Sequence, residues 1–208
     1  MIEELSVVRP DFPSVDSIRS VFQGFLRQEF GLIEDAIERR VAELDSLRAL
    51  RTQTPLNGLA DLEDDIGLSN AQLDTTLAFV IESLTEAEAV GVNASEQWAD
   101  VDRFLLSRAA ELTGRLQLAI AERSTARDRI QDARTANADP AEMAALDLRF
   151  RVAELRIDRL SRGLDATADL LDSRRLPTAP YRQLLIQATG EVTSDVLNPT
   201  VAVGLVRD

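Results

Sequence analysis

From Asp139 to Asp172, apolar or small residues fall at Met143, Leu146, Phe150, Ala153, Ile157, Leu160, Leu164, Thr167 and Leu171. The steps alternate between three and four, which keeps one face of an α-helix aligned for about four heptads. The stretch opens Asp139-Pro140-Ala141-Glu142: an N-cap, a proline at the first helical position and a capping-box glutamate. Its remaining faces carry Arg, Asp and Glu. A helix of this kind has to bury its stripe against another helix, and it bears no obvious reactive group.

The rest of the chain supplies partners of the same style. Residues 1–13 hold Pro10 and Pro13 and read as an extended lead-in. Ser14 is the N-cap of a helix expected to run to about Thr52. Val15, Ile18, Phe22 and Phe25 begin its stripe; Leu26, Phe30, Ile33, Ile37, Val41 and Leu44 continue it on a face displaced by one residue. After the turn at Pro55 and Asn57-Gly58, Leu59, Leu62 and Ile66 share a face, followed by Leu73, Leu77, Val80, Leu84 and Ala87. Two readings stand at Gly67. The glycine, Ser69 and Gln72 are spaced as a helix stop and a capped restart, whereas the leucines keep one heptad phase throughout.

Asn93 and Glu96 are spaced as an N-cap and its partner for a third long helix. Its stripe runs Trp98, Val101, Leu105, Ala109, Leu112, Leu116, Ala119 and thins to Arg123, Ala126, Ile130 and Ala133. The short loop before Asp139 makes this helix and the next antiparallel neighbours. Beyond Pro177 and Pro180, Tyr181 to Thr189 reads as a short helix closed by Gly190, with one more turn at Thr193 to Leu197 and an apolar end from Val201 to Val206. The expected organisation is four long antiparallel helices within residues 1–176, at about 14–52, 56–90, 94–136 and 140–174, with a short helical appendage over 177–208. The fold class is all-α, an elongated antiparallel bundle or coiled coil.

Composition narrows the chemistry. The chain has 208 residues, no Cys and no His, which removes disulfides, thiolate nucleophiles, imidazole bases and His-dependent metal sites. Aromatic residues are 4%, so the core is expected to be Leu, Ile, Val and Ala. Net charge is −13, a field that opposes nucleic-acid phosphate and anionic lipid. Every basic residue is Arg, as a GC-rich genome or a high-salt habitat would produce. No run of about 18 apolar residues occurs, so direct membrane insertion is not expected, and the first residues lack a signal-peptide pattern.

No catalytic, metal or cofactor-binding residue is assigned. Asp61, Glu63, Asp64 and Asp65 could hold a hard cation but lack a calcium-loop pattern, and they read as a solvated helix face. Arg174-Arg175 end a helix, where cations cap the last carbonyls. Arg123, Arg127, Arg129 and Arg134 interleave with Glu122, Asp128 and Asp132, a pattern of intrahelical ion pairs. Trp98 lies on its heptad stripe and reads as core.

One resemblance adds to this. The tail Leu184-Leu185-Ile186-Gln187-Ala188-Thr189-Gly190-Glu191-Val192-Thr193-Ser194-Asp195-Val196-Leu197, with Val201-Ala202-Val203-Gly204-Leu205-Val206, is similar to the segment ahead of the membrane helices in some large bacterial MscS-like mechanosensitive channels. Those channels carry long coiled-coil-rich periplasmic extensions, in keeping with the heptad segments here. The resemblance covers about 25 residues. With no membrane helix or pore-lining segment in this chain, it transfers no functional residue. It implies an ion-transport context and a periplasmic location for an excised channel domain; a cytoplasmic location follows otherwise.

The expected function is non-enzymatic: a helical extramembrane spacer, sensor or oligomerisation module of a membrane protein. The alternative is a soluble scaffold or phage structural protein that assembles without a membrane. Expected partners are further copies of the chain or the rest of a membrane-protein parent. The residues expected to carry assembly are Phe22, Phe25, Phe30, Leu185, Val196, Leu197 and Val201.

Overall fold

The computed structural model describes the backbone of residues 15–197 and, within it, the side chains of residues 20, 21, 24, 28 and 31–189. Among these residues the protein is all-helical: α1 (Val15–Leu50), a single 3-10 turn (Leu56–Gly58), α2 (Leu59–Ala89), α3 (Ser95–Thr135), α4 (Pro140–Ser173) and α5 (Ala179–Leu197). With 31 to 41 residues each, α1 to α4 are about 46 to 62 Å long. No helix among the described residues is long and apolar enough to cross a membrane.

The short connections force an up-down-up-down bundle. α3 and α4 form its most extensive seam, α2 lies along α4, and α1 packs on α2. The heptad residues do this work. Leu73, Leu77 and Leu84 of α2, Leu105, Leu112 and Leu116 of α3, and Leu164 and Leu171 of α4 are all completely or almost completely buried. α5 folds back on α4 and α3, burying Leu185 and Ala188 in the same core. At the other end, Ile130, Ala133 and Leu146 form a separate small cluster with Ala138, Met143 and Phe150. There the bundle has narrowed to the α3–α4 hairpin.

α2 runs unbroken through Gly67, which decides between the two readings of that stretch. Ser69, spaced as an N-cap, is instead buried inside the helix. The glycine answers a packing need: a Cβ there would stand 2.7 Å from Cδ of Arg159, whose guanidinium reaches across from α4 to Asp64. The expected stop at Gly190 is also corrected, because α5 continues through it to Leu197.

Three helix ends share one device. At the ends of α2, α3 and α4, Gly91, Asn137 and Arg175 adopt left-handed φ values of 83°, 49° and 57°. The next N–H, from Val92, Ala138 or Leu176, bonds back to the carbonyl of Ala87, Ala133 or Leu171 at 2.9–3.0 Å. This is the Schellman arrangement, completed by an apolar residue after the turn. Arginine is the residue least suited to that backbone. Arg175→Gly is therefore expected to stabilise the protein by roughly 0.5–1 kcal/mol, read as a higher urea midpoint with unchanged slope. A lower midpoint would mean that the Arg175 side chain contributes more than its backbone costs.

At the start of α4 the Asp139 carboxylate accepts the N–H groups of Ala141 and Glu142 at 2.8 and 2.9 Å, as its sequence signature predicts. Asn93 acts one residue early, accepting from Ser95 at 3.1 Å. Arg174 does not serve merely as a helix-end cation. Its guanidinium forks onto Asp102 at 2.9 and 3.2 Å and lies 3.5 Å over the buried Trp98 ring, clamping the end of α4 to the start of α3. Arg182 then ties α5 to α4 through Asp165, Asp169 and Asp172.

Candidate functional site

Two features stand out from a largely apolar interior. The first is a layer of charge near the α1–α2 turn. Arg51, one residue past the end of α1, bridges Glu63 of α2 at 3.0 Å and Glu122 of α3 at 3.1 Å. Arg156 of α4 meets Glu122 at 2.7 Å. Two positive and two negative groups, drawn from α2, α3, α4 and the residue just past α1, thus alternate across one level. Glu63 is only 3% exposed, so the acidic cluster from Asp61 to Asp65 is not uniformly solvated as expected: Asp61 and Asp65 face water, while Asp64 pairs with Arg159. Glu122 pairs across helices rather than along its own.

Burial governs the titration of this layer. It pushes the Glu63 carboxyl above its ordinary value despite the opposing charges of Arg51 and Arg156. At Glu122 burial also raises, but hydrogen bonds and charge from Arg51 and Arg156 outweigh it and hold that carboxyl below its ordinary value. A second interior pair, Arg108 of α3 with Asp74 of α2 at 2.6 Å, behaves like Glu63: burial raises Asp74 although Arg108 opposes it. Glu63, Arg108 and Arg156 are enclosed, Glu122 is about half exposed, and all are paired with opposite charge. The layer joins all four long helical segments at one level.

The signs give a pH dependence. Glu63 and Asp74, with folded values raised above their ordinary 4.5 and 3.8, contribute stability that is full below those values and lost as pH rises through the raised ones. Glu122 runs the other way: its contribution is present above 4.5 and is lost as pH falls through the lowered value. Just above the ordinary carboxylate range, both contributions favour the fold. The urea midpoint is expected to rise between pH 7 and about pH 5, and the double change Glu63→Gln with Asp74→Asn to flatten that rise. A wild-type midpoint that falls over this interval contradicts the assignment.

The second feature is a groove. α1 and α3 run parallel and are joined near the α1 C-terminus by Arg48–Glu111 at 2.8 Å and Arg51–Glu122 at 3.1 Å. Among the described residues, no Cα of α1 comes within 8 Å of one in α3. Helices in direct contact have axes only about 8–10 Å apart. The gap opens a cleft of about 480 Å³ floored by Ile37 and Val41 of α1, Leu77 and Val80 of α2, and Val101 and Phe104 of α3. Its banks carry Glu34, Glu38 and Asp45 from α1 and Asp100 from α3; no basic residue lines it.

The residues expected to carry assembly fall differently. Leu185 is buried within the chain's own core, where it fastens α5. Phe22, Phe25 and Phe30 lie on α1, and Val196 and Leu197 at the end of α5, but their side chains are outside the described residues; Val201 is outside them altogether. On the same part of α1, Val21 and Leu32 are 75% and 57% exposed. No group of Asp and Glu among the described residues is arranged to hold a metal ion. Sequence periodicity did not disclose the groove, because it depends on how far one helix stands from another; its acidic rim was visible only as scattered carboxylates. No known protein family, curated protein or solved structure matches this chain.

Proposed function

We propose that this chain is a non-enzymatic helical module that self-associates through the N-terminal half of α1. In this reading it serves as spacer and oligomerisation element of a larger membrane protein, on the periplasmic side. The observation that carries self-association is the exposure of Val21 and Leu32 on α1. Val21 and Leu32 are large, exposed and eleven residues apart, a spacing of about three turns that returns to the same face. Residues 15–33 hold two arginines against two acids, so this is a charge-balanced stretch in a chain of net charge −13. Two copies can meet there without the repulsion that the rest of the surface imposes. The membrane context rests on the tail sequence alone.

Sedimentation velocity over a concentration series tests the contact. The wild type is expected to associate more tightly at about 500 mM than at about 50 mM salt, because screening removes repulsion between acidic bodies. Val21→Ser with Leu32→Ser is expected to weaken association at least tenfold without changing helicity. Unchanged association in that variant removes α1 from the interface.

A further inference from the structure

We propose that the cleft between α1, α2 and α3 is a docking site for a cationic amphipathic helix of another protein. This goes beyond self-association and uses a different face of α1. The lining from Ile33 to Asp45 spans about 18 Å along the helix axis, the length of three helical turns. Its floor is aliphatic with one aromatic, Phe104, contributed by three helices whose backbones do not close over it. That is the shape into which an amphipathic helix lays anchors at i, i+3, i+4 and i+7.

The rim selects the occupant. Glu34 and Glu38 stand on one bank; Asp100 on the other pairs at the surface with Arg103 at 3.2 Å, and Asp45 at the end pairs with Arg48 at 3.0 Å. Carboxylates on both banks match an incoming helix whose apolar stripe is bordered by Lys or Arg on each side. A second copy is a poor occupant, since each of its helices carries acids of its own. A fatty acyl chain would bring a carboxylate or phosphate among four acids. The neighbouring ion pairs of Arg48 and Arg51 hold one end of the cleft together, so that its walls are preformed there.

The test uses the full chain and two synthetic helical peptides of about 14 residues. One has a leucine stripe flanked by lysines; the other replaces each lysine with glutamate. Fluorescence anisotropy is expected to show saturable binding of the lysine peptide and at least tenfold weaker binding of the glutamate peptide. Glu34→Gln with Glu38→Gln should weaken the lysine peptide at least fivefold. Asp61→Asn with Asp65→Asn, which removes the same charge from exposed positions elsewhere, should change it less than twofold.

Equal losses in the two variants would mean nonspecific attraction to an acidic protein and would overturn the proposal, as would equal binding of both peptides. Absence of binding, with self-association altered in the Glu34→Gln, Glu38→Gln chain, would give the cleft to a second copy and overturn it too. Absence of binding without such a change equally sinks it. A monomeric chain that binds the lysine peptide keeps the docking site and discards the assembly reading. An oligomer indifferent to the peptide does the reverse.

Discussion

Replacing Arg51 with methionine is expected to cost about 3 kcal/mol of unfolding free energy at pH 7. The substitution leaves Glu63 enclosed at 3% exposure without its direct partner, and an unpaired buried charge is far costlier than a missing pair. The figure sits at the low end of the usual range because the Arg51 side chain is itself 27% exposed. Glu63 already holds its proton more readily than an ordinary glutamate. The variant should therefore lose less as pH falls toward the ordinary carboxylate range than at pH 7. Combining Arg51→Met with Glu63→Met removes one charge of each sign and leaves Glu122 paired with Arg156 at 2.7 Å. The double variant should recover most of the loss, since apolar residues of similar volume replace buried pairs at little cost. Urea unfolding of the single and double variants measures both. A double variant as unstable as the single would show that the arginine acts through packing rather than charge.

The other large effect is expected at Leu164, fully buried where α4 meets α3. Leu164→Ala should cost about 3–5 kcal/mol, from lost transfer free energy and the cavity left in the core. Leu118, 62% exposed on α3, offers the control: its alanine variant should move stability by less than about 0.5 kcal/mol. The pair separates seam residues from surface leucines of the same helical style. Similar losses at both would mean that Leu118 is covered in solution.

These contrasts bear on what the sequence could reveal. The periodic positions from Leu146 to Leu171 are buried or close to it, because a three-four alternation fixes which face of a helix is apolar. It does not fix which neighbour a polar face meets. Glu63 therefore read as one more solvated acid, and its enclosure follows from Arg51 turning inward just beyond the end of α1. Arg174 read as a helix-end cation for the same reason: Trp98 and Asp102 lie one helix earlier in the chain. At Gly67 local punctuation competed with heptad phase, and phase prevailed because the glycine makes room for Arg159 rather than ending a helix. The groove lay beyond sequence reading. Among the described residues, it exists because α1 and α3 are bridged by side chains near one end while no Cα of one comes within 8 Å of the other.

Light scattering coupled to small-angle X-ray scattering on the intact chain tests assembly most directly. A defined oligomer is expected, its mass rising with salt and its particles at least about 60 Å long, the length of α3. A particle of monomer mass at every concentration and salt level would contradict it.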